Sequence, residues 1–156
     1  MKKILFVCKG NIYRSQLAAH LAREKFSDIQ VDSAGLCGTS MYGATKHSHI
    51  SKYECEFEKA QAALSQCRIT LWQSKNKPLT SQLANKADLI IVFDQKLKSD
   101  VIKLFPKSAN KIFLLNELAG ETEEILDPMR QSLEQYFKST EQIVTYLEKL
   151  KQTRKI

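Results

Sequence analysis

The sequence lacks any apolar stretch that approaches the roughly 20 residues a helix needs to cross a bilayer. Its short N-terminal apolar run, at 4–7, follows Lys2 and Lys3 and is soon interrupted by Lys9. That run is too short for the hydrophobic region of a secretory signal peptide. We therefore expect a soluble, cytoplasmic protein that has no membrane partner.

Metal-binding patterns are also missing. The cysteines are Cys8, Cys37, Cys55 and Cys67. They form no C-x-x-C pair and no zinc-like rhythm, so in a reducing compartment we expect free thiols. His47 and His49 look like a metal pair, but no carboxylate or thiol stands at ligand spacing, and we expect no metal. For the three cysteines after Cys8 we expect packing roles, with redox partnership as the alternative.

The chain has no internal repeat, no low-complexity tract and no linker, which indicates one domain spanning 1–156. Hydrophobic content of 43% and charged content of 26% are typical of a globular protein. The net charge of +7 comes from 24 basic and 17 acidic residues. Because the lysines are scattered and not interleaved with stacking aromatics, we expect attraction of an anionic substrate rather than nucleic-acid binding.

Short apolar runs alternate with amphipathic segments along the chain. Runs too short for helices predict strands, and apolar residues at helical spacing predict helices. The predicted strands are 3–7, 29–33, 89–93 and 112–115, and the predicted helices are 15–25, 53–67, 81–86, 95–105 and a long one from 133 onward. Residues 117–126 are expected to form an acidic loop. This alternation predicts a single three-layer α/β domain with a central four-stranded parallel sheet flanked by helices.

Ligands of parallel sheets bind beyond the carboxyl ends of the strands, so chemistry is expected at the turn after the first strand. That turn reads CKGNIYRS from Cys8 to Ser15. Cys8 and Arg14, five residues apart, can bracket one tetrahedral oxyanion, with the intervening N–H groups curled inward as a nest. The following helix points its positive end there, and Arg14 offers a planar fork to two oxygens. Gly10 and Asn11 are the residues best able to adopt the left-handed backbone angles that such a loop needs.

The composition of this turn favours a nucleophilic cysteine. N–H donors and a helix N-terminus stabilise a thiolate, which is the form of Cys8 that attacks phosphorus. The alternative makes Cys8 a small buried residue after a strand and Arg14 a surface residue, since a C-x5-R pattern arises easily by chance. The position of the pattern at a strand-to-helix turn, followed by Ser15, favours the functional interpretation.

The segment from Val7 to Ser15 resembles the opening motif of the low-molecular-weight protein tyrosine phosphatases. Ser33-Ala34-Gly35 matches the second landmark of that family, and Asp127-Pro128 matches its third. The motifs stand in family order over nearly the whole chain. By itself, Asp127-Pro128 is typical of a loop turn, and only the resemblance gives Asp127 a chemical role.

The resemblance implies hydrolysis of phosphotyrosine through a phosphocysteine on Cys8, with no cofactor and no metal. Asp127 is then the acid for the departing oxygen and the base toward water, while Arg14 and the loop amides stabilise the equatorial oxygens. Ser15 is implied to hydrogen-bond the Cys8 sulfur, and Asn11 to hold the shape of the loop. The implied phosphate-binding and supporting residues are Lys9, Gly10, Asn11, Ile12, Tyr13 and Ser15. The implied partner is a phosphotyrosine-bearing protein, with a tyrosine kinase as one candidate, and inorganic phosphate is the product.

The chain departs from the family at positions close to the expected site. The second cysteine of the family's loop is replaced by Tyr13, and the proline after Arg-Ser is replaced by Gln16. The family's supporting serine and histidine align with Trp72 and Ser74, which leaves open what supports Asn11.

The entrance to the expected site also differs. Met129 follows Asp127-Pro128, where the family commonly has an aromatic residue. Tyr13 and Tyr42 are candidates for lining the entrance, and ordinary surface aromatics are the alternative. We expect these differences to affect substrate specificity.

Three other functions stay open at this point. Thioredoxin-coupled arsenate reductases share the fold and a similar first loop but need two further cysteines after the third strand, where 89–105 has none. Protein arginine phosphatases of the same family carry threonine where this chain has Ile12, and an apolar side chain suits an aromatic substituent better than a guanidinium. A non-catalytic phosphate-binding module is the third alternative, although binding alone does not require both a nucleophile and an acid.

Overall fold

A computed structural model of the chain describes residues 1–36, 50–69 and 77–156, apart from the side chains of 50–55 and 57. The expectations for Cys37, Tyr42, His47, His49, Trp72 and Ser74 fall outside the described residues. The side chain of Cys55 is also outside them. Cys8 and Cys67 are free thiols within the described part.

Parallel strands form a central four-stranded sheet in the order β2-β1-β3-β4. The strands are β1 (Lys2–Cys8), β2 (Ile29–Gly35), β3 (Leu89–Val92) and β4 (Ile112–Leu114). All of β3 and the last five residues of β1 are buried, as in sheets that helices cover on both faces. The predicted α/β domain with a four-stranded parallel sheet is confirmed.

Helices follow or connect these strands in the described ranges. They are α1 (Arg14–Lys25), α2 (Ile50–Gln66), α3 (Ser81–Lys86), α4 (Gln95–Leu104), α5 (Leu115–Ala119) and α6 (Leu133–Thr153), with a 3₁₀ turn at Pro106–Lys111. None of these helices is both long enough and apolar enough to pass through a membrane.

The expected acidic loop at 117–126 is wrong in its first part. Helix α5 occupies Leu115–Ala119, and Gly120 ends it with a φ of 75°. Leu115 is fully buried, and α5 packs against β4 and α6. Tertiary packing therefore selects a helical turn that so short a segment does not sustain alone. From 121 to 132 the chain continues without helix or strand.

The sheet order places the functional loops at one point. The chain crosses from β1 to β2 on one side and from β3 to β4 on the other. Right-handed crossovers then put α1 and α4 on opposite faces of the sheet. The carboxyl ends of the adjacent strands β1 and β3 meet where the winding reverses, which is where sheets of this type bind ligands.

Gly35, the last residue of β2, holds three segments together at that edge. Its N–H donates to the Lys77 carbonyl (2.8 Å), and its own carbonyl accepts from the Leu79 N–H (2.7 Å). A Cβ at Gly35 would lie 2.8 Å from the Asn11 nitrogen and from the Gly10 carbonyl carbon. Because these are backbone atoms, only glycine lets the turn after β1 approach the end of β2.

Gly35→Ala is expected to destabilise the protein by about 1–3 kcal/mol, because the contact is relieved only by moving backbone. Gly120→Ala is the control, since nothing lies within 4 Å of its added methyl group and its strain is confined to a positive φ. Urea unfolding measures both losses, and amide NMR shifts locate the change. We expect the resonances of 8–15 to move in Gly35→Ala alone. Unchanged resonances there would contradict the close approach.

Candidate active site

Cys8 ends β1 with its side chain buried, 4% of the residue being exposed. Its sulfur lies 3.0 Å from the Ser15 hydroxyl oxygen, and the Asn11 N–H donates to it at 3.2 Å. Helix α1 begins at Arg14 and has no acidic residue in its first turn to compete for the positive helix end. These donors and the helix dipole all stabilise negative charge at the sulfur.

Asn11 organises the loop from Cys8 to Ser15. It takes a left-handed φ of 52° and is 1% exposed. Its side-chain amide donates to the hydroxyls of Ser15 (2.9 Å) and Ser33 (3.0 Å), and its side-chain oxygen accepts from the Lys77 N–H (2.9 Å). Its backbone carbonyl accepts from the Gln16 amide at 2.6 Å. The support of Asn11 that the sequence left open is therefore supplied, in the described residues, by Ser33, Lys77 and Gln16.

The other members of the loop differ in exposure. Lys9 is exposed, and Ile12 keeps 39% of its surface accessible. Gly10 does not have a positive φ, so the expected left-handed conformation occurs at Asn11 and not at Gly10. Asn11 compensates for its backbone strain through side-chain hydrogen bonds, which glycine cannot make.

Tyr13 connects the loop to α6. Its hydroxyl lies 2.6 Å from the Thr140 hydroxyl, and its ring meets the Tyr136 ring edge-on, with centroids 5.4 Å apart. Burial raises the pKa of Tyr13 to about 12, and the hydrogen bond with Thr140 opposes that rise. The phenol thus stays neutral at physiological pH and acts as a hydrogen-bonding and packing group.

Arg14 is buried, with 3% exposed, beside two carboxylates. One terminal nitrogen donates to Asp94 (2.8 Å) and to the Ile125 carbonyl (2.9 Å), and the other lies 3.5 Å from Asp127. The guanidinium carbon stands 5.6 Å from the centre of the Phe93 ring. These contacts fix the orientation of the planar fork, so it is preorganised for a tetrahedral anion.

Asp94 is a site residue that sequence reasoning did not assign. One carboxylate oxygen pairs with Arg14, and the other accepts from the Leu97 N–H at 2.8 Å and caps α4. The sequence does place this carboxylate just after the buried strand β3. That position is the signal that could have identified Asp94 as a site residue. The pairing itself depends on strand order, which the sequence did not specify.

Asp127 lies in the irregular segment 121–132, its side chain 43% exposed. One of its oxygens accepts from the Met129 N–H (3.2 Å), and the other faces Arg14. The Leu126 carbonyl just before it accepts from the Ser139 hydroxyl of α6 at 3.0 Å. The structure thus brings Asp127 to the guanidinium while leaving its carboxylate accessible.

Glu56 and Lys59 of α2 hold the far end of this segment. Lys59 donates to the Gln131 carbonyl (2.9 Å), and Glu56 accepts from the Tyr136 hydroxyl and the Arg130 N–H. Burial by itself raises the pKa of Glu56, but the hydrogen bonds from Tyr136, Arg130 and Lys59 outweigh it and the pKa is lowered. Glu56 is therefore a charged anchor for the chain that follows Asp127.

In the parts of the chain that the structure describes, no three His, Cys, Asp or Glu residues are grouped so as to hold a metal ion. The chemistry that the site offers is that of a thiol, a guanidinium, backbone N–H groups and carboxylates. Such a set suits nucleophilic displacement at the central atom of a bound oxyanion ester, with acid–base assistance.

Comparisons with known proteins find a matching family model, sequence relatives and solved structures of similar fold. The model of the low molecular weight phosphotyrosine protein phosphatases matches residues 3–155. The phosphatase PtpB of Staphylococcus aureus, named a low molecular weight protein-tyrosine-phosphatase, is 31% identical over 149 residues, 96% of each chain. A low molecular weight phosphotyrosine phosphatase of Vibrio cholerae superposes with a TM-score of 0.80 at 27% identity, over 99% of this chain and 97% of that one. A YwlE arginine phosphatase, solved as a cysteine-to-serine mutant with a phosphorylated active site serine, gives 0.76 at 26% identity, over 97% and 94%.

Glu56→Gln is expected to lower the free energy of unfolding at neutral pH by about 1 kcal/mol, because the charged acceptor is lost. The pKa of Glu56 is lower in the folded protein than its ordinary value of 4.5. Its stabilisation is therefore complete above that value and is lost as the pH falls through the folded pKa. Denaturant unfolding as a function of pH measures the difference between the two proteins. Glu58→Gln, at an exposed position of the same helix, is the control. A difference that grows on acidification would contradict the anchoring role.

Proposed function

The chain belongs to the low molecular weight phosphotyrosine protein phosphatase family, and we propose that it hydrolyses phosphotyrosine in proteins through a phosphocysteine on Cys8. The observation that carries this proposal is the arrangement of hydrogen bonds and ion pairs around Cys8 and Arg14. The Cys8 sulfur accepts from Asn11 and faces Ser15, while Arg14 is held between Asp94 and Asp127. The proposed nucleophile, anion-binding fork and acid are thus side chains that lie at one edge of the sheet, which supports the proposal.

In the first proposed step, the Cys8 thiolate attacks phosphorus in line. The sulfur–phosphorus bond forms as the bond from phosphorus to the phenolic oxygen breaks, and Asp127 donates its proton to that oxygen. Arg14 and the N–H groups of the Cys8–Ser15 loop bind the equatorial oxygens, where negative charge spreads. These groups supply positive charge at the phosphoryl group, so we propose no metal and no cofactor.

In the second step, water attacks the phosphocysteine and releases inorganic phosphate. The Asp127 carboxylate takes a proton from the water, and the sulfur–phosphorus bond breaks to return the Cys8 thiolate. The Ser15 hydroxyl, 3.0 Å from the sulfur, and the Asn11 N–H ease this departure by hydrogen-bonding the negative sulfur. The phosphorylated serine of the YwlE mutant supports a covalent route for proteins of this fold.

The proposed chemistry also bears on location and substrate. A thiolate nucleophile keeps its activity only where disulfides and sulfenic acids are reduced, which supports a cytoplasmic location. The proposed substrate is a phosphotyrosine-bearing protein, and an autophosphorylating tyrosine kinase is one candidate.

Turnover of p-nitrophenyl phosphate without added metal, from about pH 4 to pH 8, tests the mechanism. We expect Cys8→Ser to abolish turnover, because a hydroxyl is a far weaker nucleophile than a thiolate. Asp127→Ala is expected to lower kcat by about 10²–10⁴-fold, the usual contribution of an acid–base group. Cys67→Ser changes a thiol outside the site and is the matched control. A folded, reduced sample that binds phosphate without turning over substrate would instead identify a binding module.

Ile12, exposed at the loop, is the residue that favours a tyrosine substrate over arginine. The YwlE neighbours give the arginine alternative its support. We expect the unchanged protein to prefer a phosphotyrosine peptide over a phosphoarginine peptide. Ile12→Thr is expected to lower that ratio of kcat/KM by roughly tenfold, the scale of one apolar contact in a substrate pocket. Ile12→Val has the shape of threonine without its hydroxyl and serves as the control. Faster turnover of phosphoarginine by the unchanged protein would reverse the assignment.

A further inference from the structure

Gln16, the third residue of α1, reaches back to the loop that precedes the helix. Only 6% of it is exposed, and its side-chain nitrogen donates to the Asn11 carbonyl at 2.6 Å. A buried amide gains most when its hydrogen bonds are made, and a missing one costs about 1–3 kcal/mol. The family's proline at this position has no such donor.

The peptide group between Asn11 and Ile12 transmits this contact to the anion site. A trans peptide is planar, and its C=O and N–H point in opposite directions. The described part of the chain has no cis peptide bond. Holding the Asn11 oxygen toward Gln16 therefore directs the Ile12 N–H to the opposite side of the loop.

The opposite side is where the anion is expected. The preceding N–H, that of Asn11, already points at the Cys8 sulfur at 3.2 Å. Consecutive N–H groups around a residue with positive φ converge on one point and form an anion-binding nest. Asn11 has that conformation, with a φ of 52°. The Ile12 N–H then becomes the next donor of the nest.

We propose that Gln16 is a positioning residue that holds the Asn11–Ile12 peptide with its N–H toward the phosphoryl group. The inference rests on the proposed function of the loop in binding phosphate. Without the Gln16 amide, the peptide plane is free to rotate and to bring the Asn11 carbonyl dipole toward the anion. That rotation replaces an attractive donor by a repulsive acceptor. A proline at this position has no side-chain donor, so it could not hold the Asn11 carbonyl by a hydrogen bond.

Gln16→Met removes the donor and keeps the length of the side chain. Arg23→Met is the matched control, since Arg23 lies on the same helix and donates to a backbone carbonyl, that of Val31 at 3.1 Å, away from the loop. We expect Gln16→Met to weaken inhibition by inorganic phosphate and to lower kcat, each by about tenfold. This is less than the loss caused by removing an oxyanion donor entirely, because the Ile12 N–H is still present. Arg23→Met is expected to leave both constants unchanged. Urea unfolding establishes that each variant is folded.

Gln16→Glu provides a readout that a merely structural role does not move. At neutral pH a carboxylate repels the Asn11 carbonyl, and the deficit in phosphate affinity should exceed that of Gln16→Met. As the pH is lowered, the protonated carboxyl regains an O–H donor, so the deficit relative to the unchanged protein should shrink. A deficit that stays constant with pH would contradict the proposal. This comparison also decides the matter should Gln16→Met fail to fold.

Calorimetric titration with inorganic phosphate in a Cys8→Ser background separates this inference from the proposed function. Binding there requires the nest but not the nucleophile. Weaker binding in the Gln16→Met double variant supports the positioning role even where no substrate is turned over. Affinity within twofold of the Cys8→Ser parent, in a folded protein, would overturn it.

Discussion

The buried guanidinium of Arg14 is the constraint on which the rest of the site depends. A charge taken out of water must be paired and hydrogen-bonded, or it destabilises the fold by several kcal/mol. Here the partners come from separate parts of the chain: Asp94 after β3, and Asp127 with the Ile125 carbonyl in the 121–132 segment. Satisfying one arginine therefore fixes the start of α1, the start of α4 and the path of the segment that carries Asp127 together.

The loop from Cys8 to Ser15 is stabilised separately, by hydrogen bonds to its own polar groups. Asn11 adopts a strained left-handed conformation, and its side-chain amide, side-chain oxygen and backbone carbonyl all have partners, which lie in α1, in β2 and at Lys77. Gly35 permits this because any larger residue would collide with the Asn11 backbone. The loop is thus shaped before a ligand arrives, so binding does not have to include the cost of ordering it.

Local patterns predicted the features that depend on local sequence. The four strands, the helix after Cys8 and the left-handed Asn11 follow from short apolar runs, helical periodicity and the tolerance of Asn for positive φ. Helix α5 was missed because five residues of ordinary propensity become helical only through burial of Leu115. The pairing of Asp94 with Arg14 joins residues 80 apart in sequence, and the contact of Glu56 with Tyr136 joins residues equally distant. Such contacts are set by strand order and helix docking, which no single segment encodes.

The contacts of Arg14 also differ in strength, and the difference suits the proposed reaction. One terminal nitrogen is committed to Asp94 and the Ile125 carbonyl at 2.8 and 2.9 Å, within ordinary hydrogen-bond distance. The contact with Asp127 is longer, at 3.5 Å, and that carboxylate is 43% exposed. A phosphoryl dianion competes for the guanidinium most easily where the existing contact is weakest. In the proposed reaction we therefore expect phosphate to displace Asp127 and not Asp94, which would leave the arginine oriented and free the proposed acid to face the leaving oxygen.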